Sequence, residues 1–248
     1  TITTANVFVS IVIGVLAALS VGVVTGALVV QRRGVYSIML TLALANMFLF
    51  VVDSWGGISG GENGLLGVVG RRLQVAGFRL SIESPVAFYI FCSGLLIGAY
   101  WLLQRIVASP FGSVLVAIRE NEDRTIALGY NTRLYRFFAF VIAASIAGLA
   151  GALYAPFLGI ASLTNADVAM SERILMMAML GGTGSLFGGV LGGAALTLTN
   201  HLLSGLWSHW MLILGLLLVL VSLRLQGGLW AGIQNVGARL KLGGSGVG

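Results

Sequence analysis

A succession of long apolar runs constrains this chain more than any other feature, because each run can cross a lipid bilayer. About 20 apolar residues span the roughly 30 Å hydrocarbon core. Of the 248 residues, 58% are hydrophobic and only 9% are charged, whereas a soluble domain carries about 25% charged residues. The sequence therefore predicts an all-α polytopic membrane protein, with a single transmembrane domain over residues 1–248.

The apolar runs predict a bundle of about seven transmembrane helices. The runs cover residues 7–30, 35–52, 85–103, 137–160, 167–180, 190–206 and 210–223. The fifth run is short, and a glycine-rich turn at residues 181–189 joins it to the sixth. A glycine-rich, mostly polar loop at residues 53–84 separates the second run from the third.

Arginines and lysines assign the two membrane faces. Arg32 and Arg33, the five arginines of residues 105–136 and the basic tail at residues 224–248 all fall on one side when the spans alternate. Positively charged loops face the cytoplasm, so residues 105–136 form a cytoplasmic loop and residues 53–84 a periplasmic one. The net charge of +6 is spread between apolar runs, which does not indicate nucleic-acid binding.

The beginning of the chain suggests that something precedes it. Seven spans place Thr1 outside, yet the chain starts without methionine and without a signal peptide. We expect at least one further span before Thr1 in the full-length protein.

The one long polar stretch, residues 109–140, is dense in charge of both signs. Its charged residues are Arg119, Glu120, Glu122, Asp123, Arg124, Arg133 and Arg136. Between them, Val114, Leu115, Ile118, Glu122 and Ile126 have the spacing of one helical face. A helix held just outside the bilayer between two spans is typical of a docking element for a soluble partner. The pattern indicates a membrane subunit that is driven from outside itself.

Small residues recur every four positions and predict close helix packing. The stripes are Gly14, Ala18, Gly22 and Gly26; Ala143, Ala147, Gly151 and Ala155; Gly188 with Gly192; and Gly189 with Gly193. A tight bundle explains these stripes, and small faces that slide during gating would explain them equally well.

No catalytic set emerges from the sequence. We find no Asp, Glu, Lys or Arg at the centre of a predicted span, which argues against proton coupling and for energy from a partner. Asn46 and Asn200 lie well inside apolar runs and favour interhelical hydrogen bonding over ligand binding. Cys92 is a lone packing thiol, and His201 and His209 have no second cysteine to complete a metal site.

Two glycine-rich segments leave alternatives open. Residues 54–67 could bind a ligand or an outer partner through backbone amides, or could be a flexible loop. The turn at residues 181–189, with Gly181, Gly182 and Gly184, is typical of a broken helix beside a substrate route. An ordinary tight turn is the competing interpretation.

Five stretches together resemble a known family. They are GVYSIMLTLALANMF at residues 34–48, GGENGLLGV at 60–68, SPFGSVLVAIRENEDRTIALGYNTRLYRFFAFVIAASIAGLAGALYA at 109–155, LGGTGSLFGGVLGGAAL at 180–196 and RLQGGLWAG at 224–232. In this order, they closely resemble the M-type inner-membrane permeases of branched-chain amino-acid ABC importers. The glycine-rich opening span with a GHAAFFGxGA-like motif, typical of that family, is absent from this chain.

The resemblance implies a multi-pass subunit of a bacterial inner membrane, with a fold of the vitamin B12 and ribose importer type. It implies no enzymatic activity and no cofactor in this chain, with ATP and Mg bound by two cytoplasmic ATPase subunits. A second permease, identical or a sister, and a periplasmic substrate-binding protein complete the implied complex, surrounded by membrane lipid. Leucine, isoleucine and valine are the implied substrates, and urea or short amides are the closest rivals.

The resemblance also assigns roles to residues. It implies a coupling helix over residues 117–129, whose members are Ala117, Glu120, Glu122, Asp123, Arg124, Ala127 and Gly129. The acids and Arg124 would form its exposed face. Candidate pathway residues are Asn46, Gly181, Gly182, Gly184 and Asn200. A free-standing secondary transporter or channel is the alternative from another class, and a purely structural scaffold is a weaker one.

Overall fold

The computed structural model describes residues 7–32, 34–56, 60–61, 64–66, 72–75, 78–81, 84–182, 184–204 and 215. The chain divides into two compact units, Thr1–Ala166 and Asp167–Gly248.

Four long helices of the first unit are apolar enough to cross a membrane. They are α1 (Val7–Val29), α2 (Val35–Ser54), α3 (Pro85–Val107) and α6 (Thr132–Leu158), and two short helices, α4 (Pro110–Glu120) and α5 (Glu122–Ala127), lie between α3 and α6. The first four predicted spans are therefore confirmed as helices, although α3 and α6 extend several residues further into the charged segment than the apolar runs indicated.

The second unit contains a bent helix pair. α7 (Val168–Gly181) and α8 (Leu186–Ser204) follow the fifth and sixth apolar runs, and the chain bends by 115° between them. The pair has the length and composition of one broken span or a re-entrant loop. The glycine turn is shorter than predicted, because Gly181 still belongs to α7 and residues 186–189 to α8. The seventh run, residues 210–223, lies outside the described residues apart from Gly215.

The loop at residues 53–84 is not simply polar coil, which corrects the purely helical expectation. β2 (Arg72–Val75) and β3 (Phe78–Ser81) form an antiparallel hairpin, and β1 (Leu65–Leu66) pairs with β4 (Ile160–Ala161) just after α6. Gly64, at φ +67°, precedes β1, and a Cβ there would collide with the Ala161 carbonyl oxygen. Only glycine fits this approach.

Small residues join α1 to α6, as the four-residue stripe on α1 predicted. A Cβ added at Gly14 or Gly22 would meet the Cβ of Ala152 or Ala144, and one added at Gly148 would meet that of Ala18. Backbones this close gain dispersion contacts that lipid tails would otherwise supply.

The predicted small-residue face of α6 is wrong by one position. Ala143, Ala147 and Gly151 are exposed, and a Cβ at Gly151 would meet nothing within 4 Å. Ala144, Gly148 and Ala152 form the actual contact, and they share the same four-residue spacing. The periodicity of the sequence therefore fits both faces, and only the partner helix distinguishes them.

A small apolar cluster packs the amino-terminal half of α1 against α3. Ile11 and Phe88 are buried at its centre, and Cys92 packs beside them, half-buried. The prediction that Cys92 is a packing thiol is confirmed.

Candidate functional site

The docking segment, α4 and α5, begins at a tight corner after α3. Pro110 occupies the first turn of α4, where its missing N–H leaves no hydrogen bond unmade. Gly112 is buried, and a Cβ there would collide with the Val107 carbonyl oxygen at the end of α3. Val114 is buried as well, while Leu115 and Ile118 are half-buried. The inner face predicted for α4 is confirmed by these positions.

The single coupling helix predicted over residues 117–129 is wrong, because the chain breaks at Asn121. Asn121 has an extended backbone, with φ −157° and ψ 103°, and its Oδ1 accepts a hydrogen bond from Arg124 N at 3.0 Å. The buried Thr125 donates from Oγ1 to Asn121 O at 2.9 Å. Asparagine is a preferred helix N-cap, so Asn121 starts a new helix, α5. Gly129, at φ +89°, lies in the turn beyond α5.

The resemblance implied that Glu122 lies on the exposed face, and this is wrong. It is half-buried and its Oε1 accepts a hydrogen bond from Thr132 Oγ1 at 2.9 Å. The same Oε1 is 2.9 Å from Arg136 Nη2, a contact without hydrogen-bond alignment and therefore an electrostatic one. We call these contacts, Glu122 with Thr132 and Arg136, the α5–α6 clasp.

The α5–α6 clasp is less exposed than an ordinary surface ion pair. The side chains of Arg136 and Glu122 are 26% and 21% exposed, and Thr132 is buried. Exposed ion pairs contribute about 0–1 kcal/mol, while hydrogen bonds to charged groups contribute about 1.5–3 kcal/mol. Arg136 Nε and Nη2 are buried without a hydrogen-bond partner in the described part of the chain, and Glu122 is the acid within ion-pair distance of this cation.

Aromatic rings add a second attachment of the docking segment to α6. Phe111 of α4 stacks on Tyr135 with ring centroids 5.5 Å apart. Tyr130, in the turn before α6, meets the same Tyr135 edge-on at 6.1 Å. Such pairs stabilise by about 0.5–1.5 kcal/mol beyond the area they bury. Both ends of the docking segment are therefore fixed to the first turns of α6.

The remaining coupling candidates lie mostly at the surface. Glu120, Asp123, Arg124, Ala127 and Gly129 are exposed, while Ala117 is half-buried. Ile126, predicted to share the inner face with Val114, is instead 42% exposed, and Leu128 is 71% exposed. We call Asp123, Arg124, Ile126, Ala127 and Leu128 the α5 surface. Its mixture of charged and apolar groups suits a protein partner.

Asn46 does not make the interhelical hydrogen bond that its position suggested. It is exposed on α2, and its Nδ2 donates to Leu42 O of the same helix at 2.9 Å. Asn200 is half-buried on α8, in the other unit.

The glycines of the second unit bring α7 and α8 into backbone contact. A Cβ at Gly181 would collide with Gly188 O, and one at Gly192 with Met177 O. Gly182 has a φ of +104°, and a Cβ at Gly184 would meet nothing within 4 Å. Ser185 Oγ accepts from Gly188 N at 2.9 Å and starts α8. The stripe of Gly188 and Gly192 is confirmed as a packing face, whereas Gly189 is open.

The expectation that no predicted span carries central charge is wrong for α7. Glu172 and Arg173 lie within this helix, between Val168 and Gly181, and both are exposed. Ionisable groups within apolar segments are candidates for function. Glu172 and Arg173 were missed because the apolar run resumes immediately after Arg173. Across the described ranges, no cluster of three His, Cys, Asp or Glu residues could hold a metal ion.

Known proteins match most of the chain. The family model described as "Branched-chain amino acid transport system / permease component" matches residues 2–222. No solved structure gives a significant match.

Named relatives come from bacteria and an archaeon. The high-affinity branched-chain amino acid transport system permease protein LivM of Escherichia coli (strain K12) is 29% identical over 232 residues, covering 86% of this chain and 55% of that protein. Its Salmonella typhimurium counterpart is 27% identical with the same coverage. A probable LivM of Methanocaldococcus jannaschii is 33% identical over 95 residues, covering 38% of this chain and 27% of that protein.

The chain thus spans about half the length of the two bacterial relatives, at 55% each. The family model nevertheless covers all four long apolar helices, the docking segment and the α7–α8 pair. This chain belongs to the branched-chain amino acid transport system permease family.

Proposed function

We propose that this chain is the transmembrane permease subunit of an ATP-driven importer of leucine, isoleucine and valine. The observation that carries the proposal is the family match over residues 2–222, because it runs through every element described above. The expected partners are a second permease, two ATPases that bind ATP and Mg, and a periplasmic binding protein. The expected location is a bacterial inner membrane, and the expected fold is that of the vitamin B12 and ribose importers, with seven spans in this chain.

The α5 surface is the proposed contact with an ATPase. It combines Asp123 and Arg124 with the exposed apolar side chains of Ile126 and Leu128. Charged groups set partner orientation and association rate, while the apolar ones supply buried area. A partner can drive a conformational change only if it contacts the two states differently. The α5 surface would therefore have to shift relative to the ATPase between the inward-open and outward-open states.

The α5–α6 clasp is the proposed route by which that movement reaches the membrane. Glu122 lies at the start of α5, and its partners Thr132 and Arg136 lie on the first two turns of the spanning helix α6. A displacement of α5 would pull on α6 directly, because Glu122 contacts α6 across the short turn at residues 128–131. Glu122 is therefore a positioning residue in this proposal, and Arg124 is a docking residue.

The α7–α8 crossing is the proposed substrate-facing element. Leucine, isoleucine and valine combine an apolar side chain with a zwitterionic head group. Gly184 is exposed and has no side chain to cover its backbone polar groups, which could serve the head group. Asn46 and Asn200 are further candidates as amide donors.

Uptake by the full complex in proteoliposomes tests this proposal. Radiolabelled leucine and radiolabelled urea are supplied in separate runs, with and without ATP and with and without the binding protein. We expect leucine uptake that requires both. Urea uptake under the same requirements would keep the ATP-driven mechanism and replace the substrate.

A secondary transporter is the second candidate, and Glu172 and Arg173 are the observation that favours it. Ionisable residues within apolar helices often mark ion or proton pathways. Leucine uptake by the permease without ATPases, driven by an imposed proton gradient, would support this candidate and contradict the first.

A further inference from the structure

A cleft of about 300 Å³ opens between the end of α1 and the start of α6. Ala27 and Val30 line it from the α1 side, and Leu134 and Phe137 from α6. None of its lining residues belongs to the docking segment. Both helices are candidate membrane spans by length and composition, so these apolar walls would face the hydrocarbon of a bilayer.

The rim of the cleft is polar and positively charged. Gln31, Asn131 and Arg133 line it, and no lining residue is acidic. Arg133 is exposed, and within the described part of the chain no carboxylate lies within ion-pair distance of it. Arg32 follows Gln31 directly and adds a second exposed cation beside the rim. The cleft therefore presents positive charge at one end and apolar walls at the other.

We propose that this cleft binds an anionic phospholipid, with the phosphate on Arg133 and the acyl chains along the apolar walls. Basic pockets between transmembrane helices bind anionic headgroups, and a guanidinium matches phosphate geometry with two parallel hydrogen bonds. The volume lies at the small end of the range of roughly 300–1,000 Å³ for ligand pockets. This volume suits a headgroup and the adjoining part of the acyl chains, whose remainder stays in the bilayer.

The apolar walls distinguish a lipid from a free anion. Inorganic phosphate could use only the rim, where water screens Arg133. A phospholipid would use the rim and the walls together, and the bilayer supplies it at high local concentration. The proposal goes beyond the transport function and requires only that α1 and α6 cross the membrane.

Native mass spectrometry of the purified full-length chain tests the site, with phosphatidylglycerol and phosphatidylcholine added in separate titrations. We expect preferential retention of phosphatidylglycerol and about a fivefold loss of that preference in Arg133→Gln, since one interfacial arginine contributes about that much. The matched control is Arg105→Gln. Arg105 lies over the Trp101 ring at 5.0 Å, at the end of α3 and outside the cleft, so the control should keep the preference.

A second variant fills the cleft without changing charge. Ala27→Phe should reduce phosphatidylglycerol retention, while Ala43→Phe, on the exposed face of α2, should not. Equal retention of both lipids by the native chain would overturn the proposal. So would equal losses in Arg133→Gln and Arg105→Gln, unchanged retention in Ala27→Phe, or displacement of phosphatidylglycerol by millimolar inorganic phosphate.

Discussion

Helix α6 contacts α1 through its apolar part and α5 at its amino-terminal end. The two contacts depend on different side chains. Against α1, Ala144, Gly148 and Ala152 meet the small residues of α1. Against α5, Thr132 and Arg136 meet Glu122. The first contact depends on the absence of side-chain volume, and the second on charge and hydrogen bonding.

This difference separates rigid packing from a contact that can rearrange. Close-packed backbones leave little room for rearrangement, since protein interiors are packed like crystals. The α5–α6 clasp is held by partly exposed charges, so it can open and re-form more readily than the packed contact, although it is more protected than an exposed ion pair. While the clasp is closed, movement imposed on α5 would pass to α6, and α1 and α6 would move as one body.

The largest expected effect comes from breaking the packed contact. Gly148→Leu inserts a branched side chain against Ala18 and should destabilise the protein by about 3 kcal/mol, the upper range for overpacking. Gly151→Leu is the matched control, because a Cβ there meets nothing within 4 Å. Unfolding of both variants in detergent, followed by circular dichroism, measures the difference. Equal stability would mean that α1 and α6 do not meet at Gly148.

A smaller effect is expected where α7 meets α8. Gly192→Ala directs a methyl group at Met177 O and at the Gly181 backbone, which should cost about 2 kcal/mol. Gly189→Ala, on the open face of α8, should instead stabilise by about 0.5–1 kcal/mol, because alanine is the better helix former. A loss of stability in Gly192→Ala together with a gain in Gly189→Ala would show that α7 and α8 also pack through their glycines. Two losses of similar size would exclude it.

Breaking the clasp should loosen α5 more than the whole protein. Glu122→Gln removes the charge opposite Arg136 and should cost about 1–1.5 kcal/mol. Hydrogen exchange of the α5 amides should accelerate about tenfold. Glu120→Gln is the control, since Glu120 is exposed at the end of α4. In 1 M salt, the α5 amides of the native protein should exchange at rates between those of the native protein at low salt and those of Glu122→Gln. Exchange rates that change neither with the substitution nor with salt would contradict the clasp.

The smallest effect on stability, and the most selective one on transport, is expected at the α5 surface. Arg124→Ala should change stability by no more than about 0.5 kcal/mol, as is usual for exposed positions. In the complex it should lower the leucine transported per ATP hydrolysed. Arg105→Ala removes an exposed arginine outside the docking segment and should leave that ratio unchanged. An unchanged ratio in Arg124→Ala would remove Arg124 from the proposed ATPase contact.

The sequence predicted the membrane-spanning elements better than their contacts. Apolar run length determines where a helix can cross the bilayer, so α1, α2, α3 and α6 were predicted within a few residues. A four-residue repeat of small side chains occurs on two neighbouring faces of α6. Choosing Gly148 over Gly151 requires knowledge of where α1 lies, which periodicity does not contain.

The docking segment shows the same limit in polar form. The break at Asn121 had a local signal, an asparagine suited to an N-cap in front of two acids, and it was missed because the apolar spacing continued across it. The partners of Glu122 had no local signal, since Thr132 and Arg136 lie beyond a turn. The implied position of Glu122 on the exposed face was therefore wrong, while its coupling role stays a prediction.

Because β1 pairs with β4, helix α6 is attached to another element at each of its ends. The helix has 27 residues, so it is about 40 Å long. Its amino-terminal end carries α5, and β4, just beyond its carboxyl-terminal end, carries β1 from the loop at residues 53–84. A tilt of about 6° around the midpoint would move the two ends by about 2 Å in opposite directions, comparable to helix shifts in known switches. A pull on α5 at one membrane face would thus push the β1–β4 pair at the other.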